Sequence, residues 1–186
     1  SLVRQARTQL DERVQAEDAE EHSSRDAEEE AIEEPLRLND QRMTYVAALI
    51  RESGAESILD LGCGEGRLLR ELIKIPGLRK ITGVEVAPRV LAAAGDRLKL
   101  DHMPDIKRQR IQLLQGSLVY RDDRLTGFGA AAVIEVIEHM EPERLPAFEA
   151  ALFGHARPRM AVITTPNREY NALFEGMQPE AMRHPD

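Results

Sequence analysis

The run Ile58–Arg67, with the sequence ILDLGCGEGR, is the first stretch whose residue types could do chemistry. It ends an apolar segment, places glycine at every second position from 62 to 66, and is followed by a helical apolar pattern. A strand, a tight glycine turn and a helix let a ligand approach bare backbone and free N–H groups. Glu85 ends the next apolar run, where nucleotide-binding α/β folds hold the ribose hydroxyls. Together these features predict binding of an adenosine compound.

A second group of reactive residues follows the fourth apolar run. Glu135, Glu138 and His139 are spaced i, i+3 and i+4, so they would share one face if the chain turns helical there. Two carboxylates and an imidazole can form half of an octahedral metal site, and this donor mixture suits Mn²⁺ or Mg²⁺. The alternative is an ordinary charged helix surface. The position beside the predicted cofactor strand gives the metal site equal weight with that alternative, because this fold binds its ligands at that edge of the sheet.

The glycine spacing separates two classes of adenosine compound. A dinucleotide fingerprint needs its third glycine at position 67, which is Arg67. The pattern present, Asp-x-Gly-x-Gly-x-Gly, resembles the first motif of the Rossmann-like S-adenosylmethionine-dependent methyltransferases. The contacts that this resemblance implies are Asp60, Gly62 and Gly64 at the methionine end, Glu85 at the ribose, and Ser117 and Leu118 beside the adenine.

Apolar strands alternate with helical patterns along the chain, which predicts an α/β fold with a doubly wound, mostly parallel sheet. We expect the strand order 3-2-1-4-5, with the cofactor at the carboxyl ends of the strands. The predicted strands are 58–61, 80–85, 110–115, 129–136 and 159–165, and the predicted helices are about 39–54, 67–74, 88–100 and 143–152. The sequence stops at Asp186, before the last two strands that this superfamily usually adds. We expect either an incomplete sequence or a trimmed fold.

Charge divides the chain into two parts. Residues 1–34 hold 12 acidic residues against 4 arginines, which accounts for the whole net charge of −8, so the remainder is neutral. The first part has almost no apolar stripe, and we interpret it as a solvated acidic linker or helical arm. Residues 35–186 would form the methyltransferase domain. A neutral domain neither requires nor excludes RNA as a partner.

The cysteine content and the length of the apolar runs indicate the cellular compartment. Cys63 is the single cysteine, which excludes an internal disulfide and suggests a reducing compartment, so we predict a cytoplasmic protein. No apolar run approaches the ~18 residues of a membrane span, so no membrane partner is expected.

Three motifs together resemble a more specific family. They are LNDQR at 38–42, EVIEH at 135–139 and TPNREYN at 165–171. The similarity is to the metal-dependent RNA 3′-terminal ribose 2′-O-methyltransferases of bacterial RNA repair and of small silencing RNAs, and it covers about residues 31–186. It implies methyl transfer from S-adenosylmethionine to the terminal 2′-hydroxyl of an RNA, with Glu135, Glu138 and His139 as catalytic metal ligands.

The same resemblance implies a role for the metal ion, a fourth metal ligand and a protein partner. A cation on the terminal ribose oxygens would lower the pKa of the 2′-hydroxyl, and His139 or a fourth-ligand histidine would accept its proton. That fourth histidine falls one residue beyond Asp186, and His184 does not match its position. In the bacterial family the region before this domain binds a polynucleotide kinase-phosphatase in a repair complex, which is the protein partner implied here.

Two other functions remain open from the sequence. A metal-dependent small-molecule O-methyltransferase acting on a quinone or catechol would also present vicinal oxygens to a metal. A cofactor-binding subunit without activity could use the acidic arm to bind a partner. The motif 165–171 favours RNA over the small-molecule substrate.

Overall fold

The computed structural model describes residues 38–166, and within them a five-stranded sheet organises the fold. All four strand pairs are parallel and the order is β3-β2-β1-β4-β5, as predicted. The strands are β1 (Ser57–Leu61), β2 (Lys80–Glu85), β3 (Ile111–Gln115), β4 (Ala130–Ile134) and β5 (Met160–Thr164). The Rossmann-like fold class is therefore confirmed.

Successive residues of each strand point to opposite faces of the sheet, and an apolar cluster covers each face. In β1, Ile58 packs into one apolar cluster and Leu59 into the other, and both are fully buried. The first cluster also takes Ile50 and Leu69 from the helices on its side. The second takes Phe148, so the central strand is enclosed by apolar layers.

Helices flank the sheet. They are α1 (38–52), α2 (Arg67–Leu72), α3 (Pro88–Arg97), α4 (Asp105–Arg108) and α5 (Leu145–Glu149), the last continuing into a π-helical segment Ala150–Ala156. Short 3₁₀ turns lie at Leu100–His102, Asp123–Leu125, Ile137–His139 and Pro142–Arg144.

The predicted helix 88–100 is too long, and the predicted fourth strand extends too far. Lys99 adopts a left-handed φ of 52°, which ends the helical hydrogen bonding and starts a separate 3₁₀ turn. Glu135 likewise has a φ of 54°, so β4 ends at Ile134 instead of Val136. In both places a single residue outside the helical and extended regions of φ/ψ space redirects the chain.

The chain divides into two compact units, Ser1–Arg42 and Met43–Asp186. The sheet and every residue discussed below belong to the second unit. The predicted boundary at residues 34 and 35, and the part of the TPNREYN motif from Asn167 onward, lie outside the described residues. None of the helices described over 38–166 is both long and apolar enough to cross a membrane.

Candidate active site

The glycine turn after β1 is shaped by contacts that only glycine permits. Gly62 has a φ of 76°, and a Cβ built on it would lie 2.6 Å from a methyl carbon of Val136. The N–H groups of Gly62 and Cys63 both donate to the carbonyl of Val84, at 2.9 and 3.0 Å, which ties the turn to the end of β2. Gly64 also has a positive φ, of 51°, and nothing lies near its Cβ position. The turn is thus packed against Val136 at Gly62, whereas its backbone at Gly64 is open to a ligand.

Glu85 is fixed by the backbone around it. Its Oε1 accepts hydrogen bonds from the N–H groups of Val86 at 2.9 Å and Ala87 at 3.0 Å. Its Oε2 accepts one from the N–H of Gly64 at 3.2 Å. An ionised carboxylate offers about four acceptor positions. Three are filled by backbone, so one position on Oε2 is left for a hydroxyl donor.

The loop after β3 is held against the same strand end. The N–H of Gly116 donates to the carbonyl of Glu85 at 3.1 Å. Arg124 donates to the carbonyl of Gln115 at 3.2 Å and forms an ion pair with Asp122 at 2.6 Å. The side-chain hydrogen bonds from Arg124 lower the pKa of Asp122. This network positions Ser117 and Leu118 beside Glu85.

These elements enclose a cavity of about 500 Å³, within the range of small-molecule sites. Its described lining is Gly62, Val84, Glu85, Val86, Ser117, Leu118, Val119, Glu135, Val136, His139, Met140, Glu141 and Arg144. Four of the six predicted cofactor residues therefore lie on one cavity wall. Gly64 contributes through its bond to Glu85 without lining the cavity.

Asp60 is more deeply buried than the other predicted cofactor residues. It sits in the middle of the sheet, only 2% exposed, and is absent from the described lining of the cavity. Its Oδ2 is buried and has no hydrogen-bond partner among residues 38–166. Burial, and secondarily the charge of Glu85, raise its pKa to about 7. Burial also raises the pKa of the neighbouring Cys63 thiol, so this cysteine has the character of a packing residue and not of a thiolate nucleophile.

The second predicted group is only partly assembled. Glu135 and His139 line the cavity, whereas Glu138 is exposed and does not. The expected common helical face is wrong, because Glu135 has a left-handed backbone and only Ile137–His139 forms a 3₁₀ turn. Thr164 at the end of β5 holds Glu135 in place by donating from Oγ1 to Oε1 at 3.0 Å.

A divalent cation such as Mn²⁺ or Mg²⁺ needs several oxygen or nitrogen ligands at one place. Over residues 38–166, no group of three or more His, Cys, Asp or Glu side chains is placed to hold a metal ion. The predicted ligands Glu135, Glu138 and His139 therefore do not fit a metal by themselves in this geometry. Their role as ligands stays a prediction.

Sequence reasoning missed several cavity residues. Val86 lies there because it directly follows Glu85 at the strand end, a position that the motif could have indicated. Met140, Glu141 and Arg144 lie there because two successive 3₁₀ turns keep the chain beside the sheet edge, and their sequence carries no periodicity that predicts this.

Comparison with known proteins agrees with this geometry. Residues 58–159 match the methyltransferase domain family. The crystal structure of the methyltransferase domain of bacterial CtHen1 has a TM-score of 0.72 at 50% identity, covering 75% of this chain and 71% of that one. A crystal structure of small RNA methyltransferase HEN1 has a TM-score of 0.64 at 33% identity, covering 73% of this chain and 17% of that one.

A curated relative points the same way. The small RNA 2′-O-methyltransferase of Mus musculus is 36% identical over 142 residues, which are 74% of this chain and 36% of the mouse protein. The chain thus spans about a third of the length of that relative. By family match, fold and similarity, the chain belongs to the methyltransferase domain family and, within it, to the Hen1 group of methyltransferase domains.

Proposed function

We propose that the protein transfers a methyl group from S-adenosylmethionine to the 2′-hydroxyl of the 3′-terminal ribose of an RNA. The observation that carries the proposal is one cavity that joins Glu85 and the glycine turn to Glu135 and His139. The relatives named small RNA 2′-O-methyltransferase support RNA as the substrate class.

The cofactor half of the cavity fits an adenosine compound. The turn is open at Gly64, which lets a ligand approach the backbone, and the open acceptor position of Glu85 Oε2 suits a ribose hydroxyl. Ser117 and Leu118 provide a wall for the adenine. Bound S-adenosylmethionine supplies a methyl group on a sulfonium, which a ribose oxygen can take in one displacement. Asp60 lies in β1, two residues before Gly62 of the turn, and its contact with the methionine end of the cofactor stays a prediction from the resemblance.

The other half of the cavity holds the candidate proton acceptor. His139 is exposed on the wall that Glu135 also lines. A neutral imidazole nitrogen there can take the proton from the 2′-hydroxyl as that oxygen becomes methylated. Because the reacting group is the 2′-hydroxyl, an RNA end that lacks it cannot serve.

The test is transfer of labelled methyl from S-adenosylmethionine to a short RNA and, in parallel, to a catechol. We expect the RNA to be labelled and the catechol to remain unlabelled. Labelled catechol with unlabelled RNA would overturn the proposal in favour of a small-molecule O-methyltransferase. Cofactor binding without transfer to either would favour a non-catalytic subunit.

Assistance by Mn²⁺ or Mg²⁺ is a separate proposal from the sequence, and no step above depends on it. Initial rates on the same RNA with Mn²⁺, with Mg²⁺ and with a chelator test it. We expect the chelator to abolish the rate and a cation to restore it. A rate that the chelator does not change would show that Glu135 and Glu138 are ordinary surface charges and not metal ligands.

Two further predictions concern the protein partner and the location of the protein in the cell. The polynucleotide kinase-phosphatase partner rests on the resemblance of the sequence alone, and co-purification of the tagged protein with such an enzyme would support it. The cytoplasmic location is tested by fractionation of cells that express the protein.

A further inference from the structure

The substrate half of the cavity contains one permanently cationic side chain among its described lining. That side chain is Arg144, and the same lining also includes the acidic residues Glu85, Glu135 and Glu141. A cavity with three carboxylates repels a polyanion unless a cation is placed to receive it. The position of Arg144 therefore matters for any substrate that carries phosphate.

Arg144 is anchored by its backbone while its guanidinium stays available. It ends the 3₁₀ turn Pro142–Arg144, where its N–H donates to the carbonyl of Glu141 at 2.8 Å. Proline on either side, Pro142 and Pro146, restricts the backbone around it. The Cα of this arginine is thus held at a defined place on the cavity wall.

The present partner of the side chain is weakly bound. Nε of Arg144 lies 2.8 Å from Oε2 of Glu141, and the two side chains are 62% and 69% exposed. Exposed pairs of this kind contribute little, because water competes for both charges. Within residues 38–166 no hydrogen bond from the two Nη groups is found, so the guanidinium fork can still bind a second group.

We propose that Arg144 is a phosphate subsite that binds the phosphodiester next to the terminal ribose and leaves Glu141 when it does so. The proposal rests on the proposed function and deepens it. Guanidinium groups bind phosphate through two parallel hydrogen bonds, which an exposed carboxylate partner can yield. S-Adenosylmethionine carries no phosphate and neither does a catechol, so a phosphate subsite in this cavity favours RNA over a catechol as the substrate.

The test removes the positive charge of Arg144 from the protein and, separately, the negative charge of the last phosphodiester from the RNA. RNA binding is measured by fluorescence anisotropy, with a 5′-labelled oligonucleotide whose last linkage is either a phosphodiester or an uncharged methylphosphonate. We expect Arg144→Ala to weaken binding of the phosphodiester RNA about tenfold and to leave the methylphosphonate RNA unaffected. The slope of log K against log salt should decrease by about 0.7, as for one lost phosphate contact on a single strand.

Two further variants sharpen the result. Glu141→Gln removes the competing carboxylate and should strengthen binding of the phosphodiester RNA several-fold. Arg79→Ala is the matched control, because Arg79 forms a similarly exposed pair with Glu56 at the opposite, amino-terminal ends of the strands. It should change neither ligand's affinity. S-Adenosylmethionine affinity, measured for each variant, shows that the cofactor half is intact.

The outcomes separate the subsite from the function. Equal losses for both RNAs in Arg144→Ala, or no loss, would overturn the phosphate subsite while methyl transfer by the wild type still supports the proposed function. A loss in Arg79→Ala as large as in Arg144→Ala would also overturn the subsite, since any surface arginine would then serve. A wild type that neither binds nor methylates RNA would overturn both.

Discussion

Replacing Glu85 with alanine tests the cofactor half of the site most sharply. The substitution removes an acceptor that three backbone N–H groups fix, those of Gly64, Val86 and Ala87. Because these bonds fill three of about four acceptor positions, one ribose hydroxyl and not two is expected on the remaining position of Oε2. The expected effect is therefore that of one charge-assisted hydrogen bond.

Such a bond contributes about 1.5–3 kcal/mol, which corresponds to an affinity loss of roughly 10- to 150-fold. Loosening of the glycine turn adds to this loss, because the bond from Gly64 also disappears. Glu65→Ala is the matched control. Glu65 lies in the same turn, pairs with Arg97 and does not line the cavity, so its removal should leave affinity almost unchanged.

Calorimetry of S-adenosylhomocysteine and its 2′-deoxy and 3′-deoxy analogues separates the two contributions. With the wild type, one deoxy analogue should bind about 10-fold or more weakly than the parent compound. With Glu85→Ala, the parent and both analogues should bind alike. Equal binding of all three ligands to the wild type would refute the ribose assignment, whatever affinity the alanine variant shows.

Three other substitutions probe the elements around the cavity. Gly62→Ala should lower the free energy of unfolding, measured with urea, by about 2–4 kcal/mol, because position 62 has a φ of 76° and the new Cβ would clash with Val136. Adding Val136→Ala to this variant should restore part of the lost stability, because it removes the clash. Asp60 has a raised folded pKa of about 7, so its contribution is intact below its unfolded pKa of 3.8 and is lost as pH rises towards 7. Asp60→Asn should therefore gain up to about 4 kcal/mol relative to the wild type between pH 4 and 8, whereas a constant difference would contradict a buried titrating group. Asp122→Asn removes the ion pair with Arg124 and should weaken cofactor binding several-fold with little change in Tm, and an unchanged affinity would show that the loop needs no such support.

The sheet and the cofactor wall could be predicted because local patterns determine them. The apolar run that ends in Glu85 fixes both the strand and the place where its carboxylate emerges, and β2 has the predicted bounds. Alternation of strands and helices predicts the parallel order, since crossovers follow one hand. Gly62 and Glu85 therefore meet at one edge of the sheet, as the sequence indicated.

The substrate half could not be predicted, because its backbone depends on tertiary contacts. Glu135 was predicted near the end of the fourth strand, with a helical face only if the chain turned helical there. Instead it has a left-handed φ of 54°, and Thr164, 29 residues away, accepts its N–H at 3.1 Å. Propensity alone places a glutamate in a helix or strand. The contact with Thr164 overrides that preference.

The burial of Asp60 could not be predicted from its motif for a related reason. Gly62 and Gly64 are partly exposed in the turn, whereas Asp60 lies in β1, interior to the sheet and 2% exposed. A motif names residue types and spacing, whereas the face to which a strand residue points follows from the register of its neighbours.

The most direct test of the account is the position of the methyl group on the product RNA. RNAs with a terminal 2′-hydroxyl and with a terminal 2′-deoxyribose are each incubated with the protein and S-adenosylmethionine, and then with periodate. We predict that only the first becomes methylated and that its terminal ribose then resists periodate cleavage. Methylation of the 2′-deoxy-terminated RNA, or a labelled RNA whose terminal ribose is still cleaved, would contradict the account.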